Sequence, residues 1–128
     1  MHGLKLPYRN PDIDREAYLA WYEEGTIFKA AQRMKEKGIL TIRKTHYSPD
    51  GVRKAAVRHM INNYDEVREN LLKLYSENGY IVEEAKIDRF MIKMAVSALR
   101  NPERVKFWMI QHNLMEKYGD FLESLIAV

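Results

Sequence analysis

The chain of 128 residues is predicted to be all-α, and three features carry that expectation. Apolar side chains recur at three- and four-residue spacing along most of its length. Helix-capping residues precede those stretches, with proline directly after the cap at Ser48-Pro49 and Asn101-Pro102. Glycine or asparagine then stands where the spacing stops. After the first eleven residues, the run 39–47 is the main break in the pattern.

Residues 1–11 read as an arm, because Pro7 and Pro11 forbid regular structure and Lys5 and Arg9 add positive charge. A first helix is expected to begin near Asp12 or Asp14, either of which can cap free N–H groups, and to end at Gly25. Ile13, Ala17, Ala20 and Trp21 would form its inner face. Thr26 then caps a second helix over 27–37 that buries Ile27, Ala30, Ala31 and Met34 and is closed by Gly38.

The β-branched, alternating run 39–47 predicts an extended segment, a strand or wing. The third helix has the clearest start: Ser48 as cap, Pro49 at the first position, and Asp50 complementing the helix dipole. Over 49–61 it would bury Val52, Ala55, Ala56, His59 and Met60. Asn62-Asn63 stops it, and Asn63 with Glu66 has capping-pair spacing for a fourth helix over 64–77. Val67, Leu71, Leu74 and Tyr75 would line its inner face.

A methionine-rich fifth helix is expected over 82–99, with Ile87, Met91, Met94, Ala95 and Ala98 facing inward. A sixth follows Asn101-Pro102, carries Val105, Trp108, Met109, His112 and Met115 inward, and ends before Gly119. A last apolar segment covers 120–128. The expected organisation is a small N-terminal domain, 1–63, and a helical C-terminal domain, 64–128.

Composition removes several function classes. There is no cysteine, so disulfide scaffolds, thiolate zinc sites and cysteine nucleophiles are excluded. Apolar runs are too short to span a bilayer, and residues 1–12 lack the apolar stretch of a secretion signal. The expected setting is cytoplasmic, meaning the host cytoplasm if the chain is viral.

Net charge is only +3, but it is unevenly placed. Residues 29–58 hold nine basic side chains (Lys29, Arg33, Lys35, Lys37, Arg43, Lys44, Arg53, Lys54, Arg58) against Glu36 and Asp50, or 9 − 2 = +7. The remainder has 12 basic and 16 acidic residues, a charge of −4. A basic block between acidic flanks is the footprint of a chain that meets a polyanion. The alternative is a solvated Lys/Arg-rich face.

The segments EGTIFKAAQRM and YSPDGVRKAAVRHM resemble the helix-turn-helix superfamily: a glycine-led turn, an Ala30-Ala31 brace, a capped second helix and a Val-Arg pair within it. The resemblance implies double-stranded DNA as partner and a recognition helix entering the major groove. On that reading Arg53, Lys54, Val57 and Arg58 point outward toward bases and phosphates, from a helix capped by Ser48. Arg43, Lys44 and His46 would touch the sugar-phosphate backbone, Lys35 would add sequence-independent affinity, and Lys29 and Arg33 complete the expected DNA-binding set. One departure is plain, because residues 38–47 are longer than the usual three- or four-residue turn. The expected fold is therefore all-α, a helix-turn-helix with an inserted loop or wing, followed by a C-terminal oligomerisation bundle. The role fails if Arg53, Lys54 and Arg58 are turned inward or bound to carboxylates of the same chain.

The whole layout also resembles the small terminase subunits of tailed phages, which recognise viral DNA during packaging and assemble into rings. That resemblance implies a homo-oligomer with a large ATPase partner. A dimeric transcriptional regulator fits the same residues, as does a helical adaptor docking an acidic protein. Single-stranded or RNA binding through Tyr47 and Tyr64 is a further alternative. Assembly is suggested by Phe90, Ile92, Phe107, Ile110, Leu114 and Phe121, which fall off the inner stripes of their helices.

No catalytic role, cofactor or metal is expected. Phosphate-loop glycines are lacking, each glycine reads as a helix-end cap, and no nucleophile stands with a base. Glu84 and Asp88 share a helix face, which more often means an ion pair than a metal site. His59 and His112 fall on apolar faces, where core packing is the common outcome.

Overall fold

In a computed structural model, residues 10–41, 43–80 and 83–127 are described, and they form seven α-helices and no β-strand. These are α1 (Pro11–Glu24), α2 (Ile27–Glu36), α3 (Pro49–Asn62), α4 (Tyr64–Glu77), α5 (Glu84–Leu99), α6 (Pro102–Gln111) and α7 (Met115–Ile126). None of them is long and apolar enough to cross a membrane. The rest of the expected N-terminal arm lies outside the described residues.

Asn10 caps α1, its Oδ1 accepting from the backbone N–H groups of Asp12 and Ile13 at 3.0 and 3.2 Å. Pro11 is therefore the first helical residue and not part of an arm. Proline suits that position because its missing N–H has no partner there anyway. Asp12 and Asp14 lie in the first turn and do not cap it. Gly25, at φ +83°, turns the chain sharply enough for α2 to start two residues later. Thr26 caps α2 through its Oγ1, which accepts from the Lys29 N–H at 3.2 Å.

The run expected to be extended folds into a small hairpin. Leu40 and His46 form an isolated antiparallel bridge. The Thr41 N–H donates to the Thr45 carbonyl at 2.9 Å, and the two threonine hydroxyls lie 2.8 Å apart. Lys44 takes a left-handed φ of 60° at the bend. Ser48 then caps α3 as expected, accepting from the Gly51 N–H at 3.0 Å. Gly51 thus sits inside the first turn of a helix and is not a terminator.

Two boundaries differ from expectation in the C-terminal part. α6 stops at Gln111, where Asn113 adopts φ 58° and the Leu114 N–H reaches back to the Met109 carbonyl at 2.8 Å. His112 and Met115 therefore do not share a helix. Gly119 lies inside α7, next to a kink at Tyr118 (φ −122°), and ends nothing. Asn63 holds the cap position of α4 without a side-chain cap hydrogen bond.

The chain divides into two compact units between Met60 and Ile61. In the N-terminal unit the core comes from α1 (Ala17, Tyr18, Ala20), α2 (Ala30, Met34) and α3 (Val52, Ala55, Ala56, Val57, Met60). Alanine dominates it, which lets helices approach closely. Asp14 and His59 are buried among these residues, and the His59 ring stacks on Tyr18 with centroids 4.9 Å apart.

In the C-terminal unit Trp108 is the largest fully buried side chain, and its Nε1 donates to the Ile61 carbonyl at 3.1 Å. Met91, Ile92, Met109 and Leu122 complete this interior, so the methionine-rich stripe is core. Helix α5 is central here, packing against α4, α6 and α7.

Candidate nucleic-acid interface

The nine basic residues of 29–58 separate into two groups. Five are tied to carboxylates of this chain. Arg33 bonds Glu23 at 3.0 Å and lies 3.8 Å from Glu24, which fastens α2 to α1. Lys37 pairs with Glu16 at 3.1 Å. Arg53 and Lys54 share the single carboxylate of Asp50 at 2.7 and 3.2 Å. Arg58 grips Asp14 through two hydrogen bonds, Nε to Oδ2 at 3.2 Å and Nη2 to Oδ1 at 3.1 Å.

The other four, Lys29, Lys35, Arg43 and Lys44, are exposed and make no ion pair among the described residues. Two lie on α2 and two at the bend of the hairpin, where His46 is exposed as well. The short hairpin is braced by Thr41 and Thr45, and Arg43, Lys44 and His46 on it are exposed.

The expected outward face of α3 needs correction. Val57 is buried at 8 % exposure, in the core of the N-terminal unit. Arg58 is turned inward, because its guanidinium neutralises Asp14, whose side chain is only 2 % exposed. A buried carboxylate without such a partner would be costly, so this bond holds the arginine in place. Both residues are removed from the reading face. What α3 offers to solvent is its first two turns: the Ser48 cap, Asp50, Arg53 and Lys54.

Those remaining pairs are of a different kind. Arg53 and Lys54 are more than half exposed and bind a carboxylate three and four residues away on the same helix. Exposed pairs of this type are weak and screened by salt, so a phosphate can replace Asp50 as their partner. The Arg53 hydrogen bond, followed by Lys54, holds the Asp50 carboxyl below its usual range. Two cations on one carboxylate leave a net charge of 2 − 1 = +1.

Other candidate chemistry is structural. Asp88 accepts hydrogen bonds from the Tyr64 hydroxyl (2.8 Å), Arg68 Nε (2.8 Å) and the Tyr118 hydroxyl (2.9 Å). Burial pushes its carboxyl up, but these three donors outweigh burial and hold it below the ordinary value. Burial and Asp88 together push the Tyr118 phenol up to about 12. Glu84 pairs with the same Arg68 at 3.3 Å. The shared helix face of Glu84 and Asp88 is therefore an ion-pair cluster, and no group of three potential metal ligands occurs among the described residues.

Tyr64 is buried against Trp108 and His112, so it presents no stacking surface, while Tyr47 is half-buried. Of the residues expected to drive assembly, Ile92 and Leu114 are core, Phe90 and Phe121 are half-buried, and Phe107 and Ile110 are exposed on α6.

Two solvent-facing residues of α2, Phe28 and Gln32, were absent from the sequence-based set. Phe28 is 73 % exposed. Their signal was available: positions 28, 32 and 35 recur at helical spacing opposite Ala30 and Met34. No protein-family model, curated protein or solved structure matches this chain.

Proposed function

We propose that this is a double-stranded DNA-binding protein whose N-terminal unit grips the phosphate backbone. The observation that carries the reading is the basic block 29–58, +7 by sequence, in which Lys29, Lys35, Arg43 and Lys44 are exposed on α2 and the hairpin and make no ion pair among the described residues. Exposed cations outside ion pairs among the described residues also occur in the C-terminal unit, Lys86, Lys93, Arg100 and Arg104 among them. The signal is therefore the concentration of positive charge in 29–58, opposed there only by Glu36 and Asp50. Four cations of that stretch outside any ion pair among the described residues keep a local positive potential that suits a polyanion. The first two turns of α3 add Arg53 and Lys54, whose exposed carboxylate partner is easily exchanged. The expected helix-turn-helix recognition meets the condition set for its failure: Arg53, Lys54 and Arg58 all bind carboxylates of this chain, and Val57 is buried. Recognition through α3 is therefore withdrawn, and DNA binding rests instead on the cations of α2 and the hairpin.

The layout resemblance to small terminase subunits makes recognition of viral DNA during packaging the first setting for this activity, with a large ATPase as partner. A dimeric transcriptional regulator is the alternative. Both need self-assembly, and the exposed pair Phe107 and Ile110, 42 % and 60 % exposed on α6, supports it.

The test is a variant carrying Lys29→Gln, Lys35→Gln, Arg43→Gln and Lys44→Gln. All four positions are exposed, so the fold persists and circular dichroism verifies it. Binding to random duplex is expected to fall by two orders of magnitude or more near 100 mM salt. Unchanged binding refutes the assignment. Absence of duplex binding by the parent, with capture of a polyanionic peptide, favours the adaptor reading.

A further inference from the structure

We infer that α2, rather than α3, is the helix that meets base edges, with Phe28 and Gln32 as its reading pair for duplex DNA. This rests on the DNA-binding reading above and adds which side chains would discriminate sequence. With 3.6 residues per turn, position 32 is rotated about 40° from 28, and position 35 about 20° the other way. Phe28, Gln32 and Lys35 therefore form one strip, and all three are exposed. Lys29 is exposed beside it.

Phe28 is the most exposed of the large apolar side chains. No other large apolar side chain of α2 is exposed. By helical spacing the neighbours of Phe28 are half-buried Ala31, Gln32 and Lys35, with the Glu36 carboxylate flanking Gln32, whereas an apolar protein partner would be met by a wider apolar patch. An aromatic ring with Lys29 beside it and Lys35 two turns along, neither in an ion pair among the described residues, is suited to a ligand with anionic edges and apolar features between them. The major groove of duplex DNA is such a surface: phosphates rim it, and thymine methyl groups line its floor.

Gln32 is held for its part. Its Nε2 donates to Glu36 Oε1 at 3.2 Å. That bond occupies one amide hydrogen and leaves the other, with Oε1, for a partner. Glutamine uses this donor-acceptor pair on adenine, accepting from N6 and donating to N7. Four residues of helix rise about 6 Å, against about 3.4 Å per base-pair step, so the two side chains reach bases roughly two steps apart. The preferred duplex should carry a thymine and an adenine at that separation. The approach is also short and anchored: Gly25 and Thr26 fix the start of α2, and Phe28 and Lys29 lie in its first turn. On α3, by contrast, the face after Lys54 closes with Val57 and Arg58.

The full-length protein is used to select duplexes from a random 20-base-pair pool, and the winner is compared with a scrambled duplex. The parent should prefer the winner. Phe28→Ala and Gln32→Ala should each reduce that preference roughly ten-fold, while binding to scrambled duplex changes less than two-fold. Thermal melting confirms that both variants fold. A preference unchanged in both variants overturns the inference and leaves backbone binding standing. A parent that binds duplex without preferring any sequence overturns it too. A parent that binds no duplex removes the proposed function itself.

Discussion

Asp14 and Arg58 stand 44 residues apart in sequence and meet through two hydrogen bonds that join α1 to α3. Asp14 is almost fully buried, whereas Arg58 keeps about a quarter of its side chain in solvent. The arginine thus acts as the counter-ion of an interior carboxylate, and its planar fork matches the two oxygens as lysine cannot. Arg58→Ala is expected to destabilise the protein by about 1–3 kcal/mol in urea titration, with Arg58→Lys recovering only part. Duplex affinity measured where the variant is folded should change little. A stable Arg58→Ala variant that has lost binding would return Arg58 to the interface.

Asp88 plays the corresponding part in the C-terminal unit, where it binds side chains from α4 and α7 at once. Asp88→Asn removes the charge opposite Arg68 and is expected to cost about 2–4 kcal/mol. Because the folded carboxyl lies below its usual value of 3.8, its contribution is complete above that pH and is lost as acid protonates the folded form. The parent should therefore lose stability below about pH 4 faster than Asp88→Asn does. Parallel acid curves would contradict the account.

His112 provides a second, separate pH window. It packs between Tyr64 and Trp108, with ring centroids 4.6 and 5.1 Å away. Burial lowers its imidazole from 6.5, and Asp65 opposes that only in part. The neutral form is favoured in the folded state, so stability should be full above pH 6.5, decline as pH falls from 6.5 toward the folded value, and level off below it. His112→Phe, which keeps a ring in place, should flatten the slope of denaturation midpoint between pH 7 and pH 5. An unaltered slope would place the titration elsewhere.

Phe107 and Ile110 are the exposed apolar pair of α6. Phe107→Ser with Ile110→Ser should reduce the mass in solution to that of a single chain without lowering the melting temperature. A parent already monomeric at high concentration would remove the assembly proposal.

Most of the helical layout could be read from the chain because caps and glycine turns are local signals. Thr26, Ser48, Asn101 and Gly25 act where expected, and the hairpin falls in the non-helical run 39–47. The failures have a common physical cause. Whether Arg58 faces water depends on Asp14, 44 residues away, and no spacing rule announces a carboxylate on an inner face. The same holds for Asp88, whose partners Tyr64 and Tyr118 flank it from distant helices. Helix-end asparagine at positive φ is less common than glycine, so the break at Asn113 was missed and Gly119 was given its role. On α2, attention to charge alone passed over Phe28 and Gln32.

The central claim is that exposed cations of the N-terminal unit neutralise phosphates, and the salt dependence of duplex binding tests it most directly. With Lys29, Lys35, Arg43 and Lys44 engaged, the logarithm of the binding constant for random duplex should fall against the logarithm of salt concentration with a slope of roughly −4. A slope near zero, or no binding at 50 mM salt, would contradict it.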